Sequence, residues 1–201
     1  LRALTRLKGV GPLVYVVGFS TLAQFVTYTT WVLHNTFKFG WGPFENGVSL
    51  AVVGVVSVLV QGVLLGRLLK RVPPQRLAVL GLMSSSLAFV AYGAASAGWV
   101  MYAVTLANVF GVTVQASVQS LISSAADSHT QGQTLGAVSS LGSLTAVVAP
   151  LLAAPLLGVV SHYPQGDWRI GAPFYFCAAL QAISLVLAVI HFRRLRTQTT
   201  H

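Results

Sequence analysis

The chain has 201 residues, of which 55% are hydrophobic and only 7% are charged, whereas a soluble domain normally has about 25% charged residues. It therefore cannot cover a globule with polar surface. The formal net charge of +9 does not indicate nucleic-acid binding either, because the cations form short clusters between long apolar runs instead of one continuous basic face. This pattern is typical of an integral membrane protein, and no nucleic-acid partner is expected.

Six apolar segments are long enough to cross the lipid bilayer as helices, each of which needs about 20 residues. In chain order, the predicted spans are residues 12–33, 46–66, 77–97, 99–122, 135–159 and 173–191. The segment between the first two spans contains Lys38, Trp41 and Pro43, a mixture typical of the membrane–water interface. We therefore predict an all-α, six-helix integral membrane bundle that forms a single domain over residues 1–201.

The connection between the second and third spans combines four basic residues with Pro73 and Pro74. It cannot enter lipid, because one basic residue at the bilayer centre already costs about 2.5–3.5 kcal/mol. With these spans, ten of the twelve basic residues fall on the side of both chain ends: Arg2, Arg6, Lys8, Arg67, Lys70, Arg71, Arg76, Arg193, Arg194 and Arg196. Cytoplasmic loops carry such an excess. We predict a multi-pass protein of the inner (plasma) membrane with both ends of this segment in the cytoplasm.

The predicted spans contain no Asp, Glu, Lys or Arg, so the polar groups inside the membrane are neutral. Asn108, Gln115 and Gln119 are spaced seven and four residues apart and share one face of a helix. An amide facing lipid would leave its donors and acceptors unsatisfied. We predict that a substrate cavity is lined by these and similar residues, namely Gln24, Thr27, Gln61, Asn108, Gln115 and Gln119. Interhelical hydrogen bonding, worth about 0.6 kcal/mol per group, is the alternative for each.

Small residues recur at four-residue intervals near the start of the fifth span, at Gly132, Gly136 and Ser140. That spacing allows two helix backbones to approach closely. Pro150 follows in the same span and is tolerated where neighbouring helices satisfy the freed carbonyl. We predict that Gly136, Ser140 and Pro150 take part in helix packing, as a static contact or as one that slides.

The basic hairpin after the second of six spans resembles the corresponding loop in one half of a major facilitator superfamily transporter. The loop pattern of that family is Gly-x-x-x-Asp-Arg-x-Gly-Arg-Arg; Gly66 and Arg71 match it, and Arg76 lies one residue after its closing arginines. Lys70 replaces the acid and Pro73 replaces the glycine. Further motifs resemble the C-terminal half of the tetracycline-resistance branch of drug/proton antiporters: Trp31-Val32-Leu33, Phe39 to Trp41, Gly47-Val48-Ser49-Leu50-Ala51, Gln131-Gly132-Gln133 and Ala149-Pro150-Leu151-Leu152.

The resemblance implies that the chain is the C-terminal half of a twelve-helix transporter whose N-terminal six-helix half is missing here. It implies secondary active export of a small-molecule drug or solute in exchange for protons by alternating access. It also implies a cytoplasmic gate formed by Gly66, Arg71, Arg76, Asp127 and Gly132. Serine occupies positions 84–86, where the family often has an intramembrane Asp for proton coupling, so coupling carboxylates would come from the N-terminal half. No cofactor or metal is expected.

Two other functions remain open at this point. The first is a half-size membrane protein that acts as a homodimeric transporter or an assembly factor, although the start at Leu1 instead of Met favours a fragment of a longer chain. The second is an intramembrane hydrolase, which needs a nucleophile within reach of a base. The five histidines fall at span ends or in loops, and no acid lies in a span, so we do not expect an enzyme.

Overall fold

A computed structural model describes residues 11–125 and 131–198 of the chain. Every regular element in these residues is helical, which confirms the predicted all-α class. The helices are α1 (Gly11–Phe39), α2 (Pro43–Arg71), α3 (Pro74–Ala94), α4 (Gly98–Ala107), α5 (Val114–Ala125), α6 (Gln131–Val160) and α7 (Ala172–Gln198). A π-helical turn at Val60–Leu64 lies inside α2, and 3₁₀ turns at Gly111–Thr113 and Trp168–Gly171 precede α5 and α7.

Five of the described helices are long and apolar enough to cross a membrane, and the bent pair formed by α4 and α5 can supply a sixth span. The prediction of one continuous helix over residues 99–122 is wrong, because α4 and α5 meet at an angle of 56°. Asn108 follows α4 and has a φ of −82° and a ψ of 36°, outside the helical range. Its side chain accepts a hydrogen bond from Ser84 on α3, which holds the break against α3.

The break between α4 and α5 fits closely against α3 because glycine occupies both sides of the contact. A Cβ atom at Gly111 would lie 2.2 Å from Asn108 Oδ1 and 2.4 Å from Ser85 Oγ. On α3, a Cβ atom at Gly81 would lie 2.7 Å from the carbonyl oxygen of Phe110. A larger residue at either glycine would push the break away from α3, so these two positions help to fix where α5 begins.

The remaining helices overlap the predicted spans but extend beyond them. Helix α1 continues past residue 33 to Phe39, and α2 continues past residue 66 to Arg71. All four basic residues of the hairpin are therefore helical, since Arg67, Lys70 and Arg71 lie at the end of α2 and Arg76 lies at the start of α3. Helix α2 ends where the prolines require it, because Val72 is extended, with a φ of −122° and a ψ of 126°, as is usual for a residue before proline.

Helix α7 lies at the centre of the bundle and packs against both α1 and α3, and α6 packs mainly against α1. One apolar core surrounds Phe89 and Phe174, and a second surrounds Leu82 and Ile122. Helix α2 is the most exposed span, since only 17% of its most apolar stretch is buried, against 50% for α3. Most of the surface of α2 is thus without a partner among the described residues.

Lys38 is a correction to the sequence analysis, which assigned it to an interfacial loop. It lies in the last turn of α1, is only 3% exposed, and its Nζ donates a hydrogen bond to the carbonyl oxygen of Gly93 at the end of α3. A cation suits this position, because the last carbonyls of a helix carry partial negative charge. The Gly166 N–H donates to the Lys38 carbonyl oxygen at 3.2 Å. Lys38 therefore joins α1, α3 and the α6–α7 connection at one end of the bundle.

Most described cations lie at the opposite helix ends from Lys38. These are Arg67, Lys70, Arg71, Arg76, Arg193 and Arg194, all of them exposed. Most of the described basic side chains therefore lie at one end of the helix bundle. Which side of a membrane it faces stays a prediction, and the basic residues before residue 11, like Asp127, lie outside the described residues.

Candidate functional site

A cavity of about 590 Å³ opens between the helices and is lined from α1, α2, α3, α4, α5 and α7. Its size is within the range of small-molecule sites, which is about 300–1,000 Å³. All the residues selected for their amides or hydroxyls lie along its wall: Gln24, Thr27, Gln61, Asn108, Gln115 and Gln119. No Asp, Glu, Lys, Arg or His is among the described residues that line it. The structure therefore brings the predicted polar faces together around one neutral cavity, although their role in binding substrate stays a prediction.

The aromatic part of the wall is held by hydrogen bonds between helices. Trp31 Nε1 donates to Ser49 Oγ on α2 at 3.0 Å, and the Trp31 ring meets that of Tyr92 edge to face with centroids 5.2 Å apart. The Tyr92 hydroxyl is 2.9 Å from Thr105 Oγ1 on α4. Four helices thus contribute to one rigid aromatic wall, because buried Trp and Tyr find partners for their polar atoms.

Gln61 reaches the cavity from the π-helical turn of α2. A single π turn inserts one residue into an α-helix and changes the direction in which the following side chains point, and such turns are frequent at functional sites. Gln61 is exposed in the described chain. Gln61 thus combines an irregular turn with a position on the cavity wall, and its role in binding substrate stays a prediction.

The six predicted residues differ in how their polar atoms are used. Thr27 Oγ1 donates to the Ala23 carbonyl oxygen at 2.9 Å, and Asn108 Oδ1 accepts from Ser84 Oγ at 2.9 Å. By contrast, four glutamine side chains make no hydrogen bond to another described residue: Gln24, Gln61, Gln115 and Gln119. Asn108 stabilises the break between α4 and α5, whereas these glutamines remain able to bind a ligand.

Sequence analysis missed two cavity residues whose polar atoms are buried without a partner. Gln181 on α7 is 3% exposed, and its Oε1 has no hydrogen-bond partner among the described residues. Thr21 Oγ1 on α1 is also buried and has no hydrogen-bond partner among the described residues. An unpaired buried acceptor costs about 1–3 kcal/mol. Gln181 is the only amide in the apolar run 173–191, and this isolation was the available signal.

The residues assigned to the gate and to helix packing lie away from the cavity. Gly66, Arg71 and Arg76 are exposed at the α2–α3 hairpin. On α6, the residues Gly132, Gly136, Ser140 and Pro150 are exposed. A Cβ atom at Gly136 would meet no atom within 4 Å, so this face of α6 packs against no other described helix. Gating and packing by these residues stay predictions, and Asp127 is outside the described residues.

Among the titratable side chains that the structure describes, His34 is buried and both acids cap helical turns. His34 is fully buried in α1, contrary to the expectation of a span-end or loop position, and its Nδ1 is 3.1 Å from the Ile170 carbonyl oxygen. The described acids both cap helical turns: Glu45 accepts from the Gly42 N–H and Asp167 from the Arg169 N–H. Within residues 11–125 and 131–198, no three His, Cys, Asp or Glu side chains are grouped to hold a metal.

Comparison with known proteins matches this chain to one family model and to several curated relatives. The family model of the Major Facilitator Superfamily matches residues 13–201. A class D tetracycline resistance protein from Salmonella ordonez is 31% identical over 92% of this chain and 46% of its own length. A class B tetracycline resistance protein from Escherichia coli is 29% identical over 88% of this chain and 44% of its own length. Hippocampus abundant transcript-like protein 1 of Mus musculus is 28% identical over 85% of this chain and 36% of its own length. The chain thus spans about half the length, or less, of these curated relatives.

Proposed function

Because the chain belongs to the Major Facilitator Superfamily, we propose that it is the cavity-bearing half of a secondary transporter that exports a small molecule. Members of this family are membrane transporters and not enzymes, so the prediction that the chain is not an enzyme is confirmed and the hydrolase alternative is removed. The chain is likewise a multi-pass membrane protein. The substrate of this chain, the ion that drives its transport and its orientation in the membrane remain proposals.

The neutral cavity carries this proposal. It offers amides without partners beside the aromatic rings of Trp31 and Tyr92, and its lining has no charged group. Such a wall suits an uncharged or zwitterionic molecule that combines aromatic surface with carbonyl or hydroxyl groups. Two of the relatives are named for resistance to tetracycline, which supports drug efflux as the direction of transport.

We propose that a second six-helix half covers α2 and α6 and completes the transport path. Part of the surface of each of these two helices has no neighbour in the described chain, since a Cβ atom at Gly54, Gly62 or Gly136 would meet no atom within 4 Å. Rocking of two such halves around a midplane site would give alternating access.

Arg71 and Arg76, exposed at the hairpin, would pair with carboxylates of that half at the cytoplasmic gate. The described spans contain no Asp or Glu in the cavity, so carboxylates for proton coupling would also belong to the second half.

The proposal is tested in the full-length protein with Gln115→Ala and Gln119→Ala. In everted membrane vesicles energised by a proton gradient, uptake of tetracycline as the probe is measured at low concentration. Loss of one hydrogen bond worth about 0.5–1.5 kcal/mol weakens binding about two- to tenfold. We expect each variant to lower uptake by such a factor. Gln75→Ala, at an exposed position away from the cavity, is the matched control and should leave uptake unchanged. Normal uptake in both cavity variants would refute the cavity assignment.

A symmetric dimer is the second candidate, because a second copy would also cover the exposed faces of α2 and α6. The intact mass of the native polypeptide from its source membrane separates the two. A mass near twice that of this chain supports a second half in the same polypeptide. A mass equal to that of this chain supports the dimer or an assembly factor.

A further inference from the structure

A second cavity, of about 510 Å³, lies beside the first, between α1, α5 and α6. Four residues line both cavities: Thr21, Phe25, Gln115 and Gln119. On the far side, the second cavity is bounded by α6, where Ser139, Gly142 and Ser143 provide small or polar surface. The two cavities thus adjoin along one wall formed by these four residues, and each is large enough for part of a drug-sized molecule.

The wall contains a buried hydroxyl without a partner. Thr21 is 9% exposed, and its Oγ1 makes no hydrogen bond within the described chain. Other buried threonines in these helices satisfy their hydroxyls locally, since Thr27 and Thr30 each donate at 2.9 Å to the carbonyl four residues before them. A Thr hydroxyl in a helix normally has this option. Thr21 is the exception on α1, and it is one of the four residues that line both cavities.

The chemistry of the second cavity suits a neutral hydrogen-bond acceptor. The amides of Gln115 and Gln119 are unpaired among the described residues and can donate as well as accept. Thr21 can donate its hydroxyl proton. Leu135, Val138 and Ala146 complete the lining, and no ionisable side chain is among the described residues that form it. A carbonyl or amide group attached to an apolar body would satisfy these donors without placing a charge in the membrane.

We propose that the two cavities are two compartments of one binding site, and that the compartment against α6 takes a neutral, carbonyl-bearing arm of a ligand whose aromatic body occupies the first. This inference rests on the proposed function, because it assumes that the first cavity binds substrate. Thr21 is then a specificity-determining residue that recognises the arm.

Gly142→Leu tests the second compartment by filling it. A Cβ atom at Gly142 would meet no atom within 4 Å, so the new side chain enters free space. Gly158→Leu is the matched control, since Gly158 lies on the same helix, is equally open and lines neither cavity. Thr21→Val removes only the hydroxyl and keeps the shape. Its control is Thr29→Val, at an exposed residue that lines neither cavity.

Binding of two fluorescent probes is measured with the full-length protein in lipid nanodiscs. Prodan is a neutral aminonaphthalene with a propionyl arm, and 2-dimethylaminonaphthalene has the same body without the arm. We expect Gly142→Leu to weaken prodan binding about tenfold or more and Thr21→Val to weaken it about two- to tenfold, the effect of one lost hydrogen bond. Both should leave the armless probe unaffected, and the controls should bind both probes normally.

Other outcomes overturn the inference in distinguishable ways. Unchanged prodan binding in Gly142→Leu and Thr21→Val, with weakened binding of both probes in Gln61→Leu, would reject the second compartment and leave the first site in place. Equal losses for both probes in Gly142→Leu would mean a single undivided site. If Gln61→Leu also binds both probes normally, or if the unaltered protein binds neither, the proposed function of the first cavity fails together with the inference.

Discussion

Replacing Gln181 by methionine should raise stability and lower ligand affinity at once. The side chain is 3% exposed, and its Oε1 has no partner among the described residues, a condition that costs about 1–3 kcal/mol in proteins generally. Methionine is unbranched and similar in size, and such swaps need little repacking. Because polar interactions in membrane bundles are weaker, near 0.6 kcal/mol on average, we expect a gain of about 1 kcal/mol in the free energy of unfolding.

The two effects are measured on the same purified variant. A gain of about 1 kcal/mol corresponds to a rise of about 2–4 °C in the unfolding temperature of a chain of this size, readable by thermal unfolding in detergent. Affinity for prodan should fall about two- to tenfold, since the amide no longer offers a hydrogen bond to the ligand. Gln75→Met, at an exposed position, should change neither quantity. A fall in the unfolding temperature of Gln181→Met would refute the reasoning, because it would mean that the oxygen is satisfied in the native protein.

Two further predictions concern the helix contacts that support the cavity. Gly171→Ala should destabilise the protein by about 1–3 kcal/mol, because its Cβ would lie 2.2 Å from the Gly93 carbonyl oxygen; thermal unfolding checks this, and Gly158→Ala, in open space, should have no such effect. Asn108→Ala and Ser84→Ala should each lower stability, and their effects should not add, since both remove the same 2.9 Å hydrogen bond. A double-mutant cycle should give a coupling of about 0.5–1.5 kcal/mol, and full additivity would contradict the assignment.

The fold class and the polar faces could be predicted because both depend on spacing along the chain. Long apolar runs with basic connections indicate membrane helices, and within one unbroken helix the spacing of amides fixes their common face. Gln115 and Gln119 lie four residues apart in α5 and both line the cavity. Asn108 lies at the break between α4 and α5 and also lines the cavity, although the spacing argument assumed one continuous helix through residues 99–122.

The features that sequence analysis missed depend on contacts between distant segments. No proline marks the break after α4; it depends on the hydrogen bond from Ser84 and on the space that Gly81 leaves on α3. Lys38 is flanked by residues typical of an interface, and only the end of α3 explains its burial. Gln181 stands alone in an apolar run, so no periodic pattern distinguished it.

The neutral lining of the first cavity has a consequence for the electrical behaviour of transport. Moving one elementary charge through a membrane potential of 100 mV involves about 2.3 kcal/mol. The residues that line the cavity carry no charge, so the potential does no work on this wall when the helices around it rearrange. Any dependence of the transport rate on voltage must therefore come from charge on the substrate, from coupling protons or from groups that do not line this cavity.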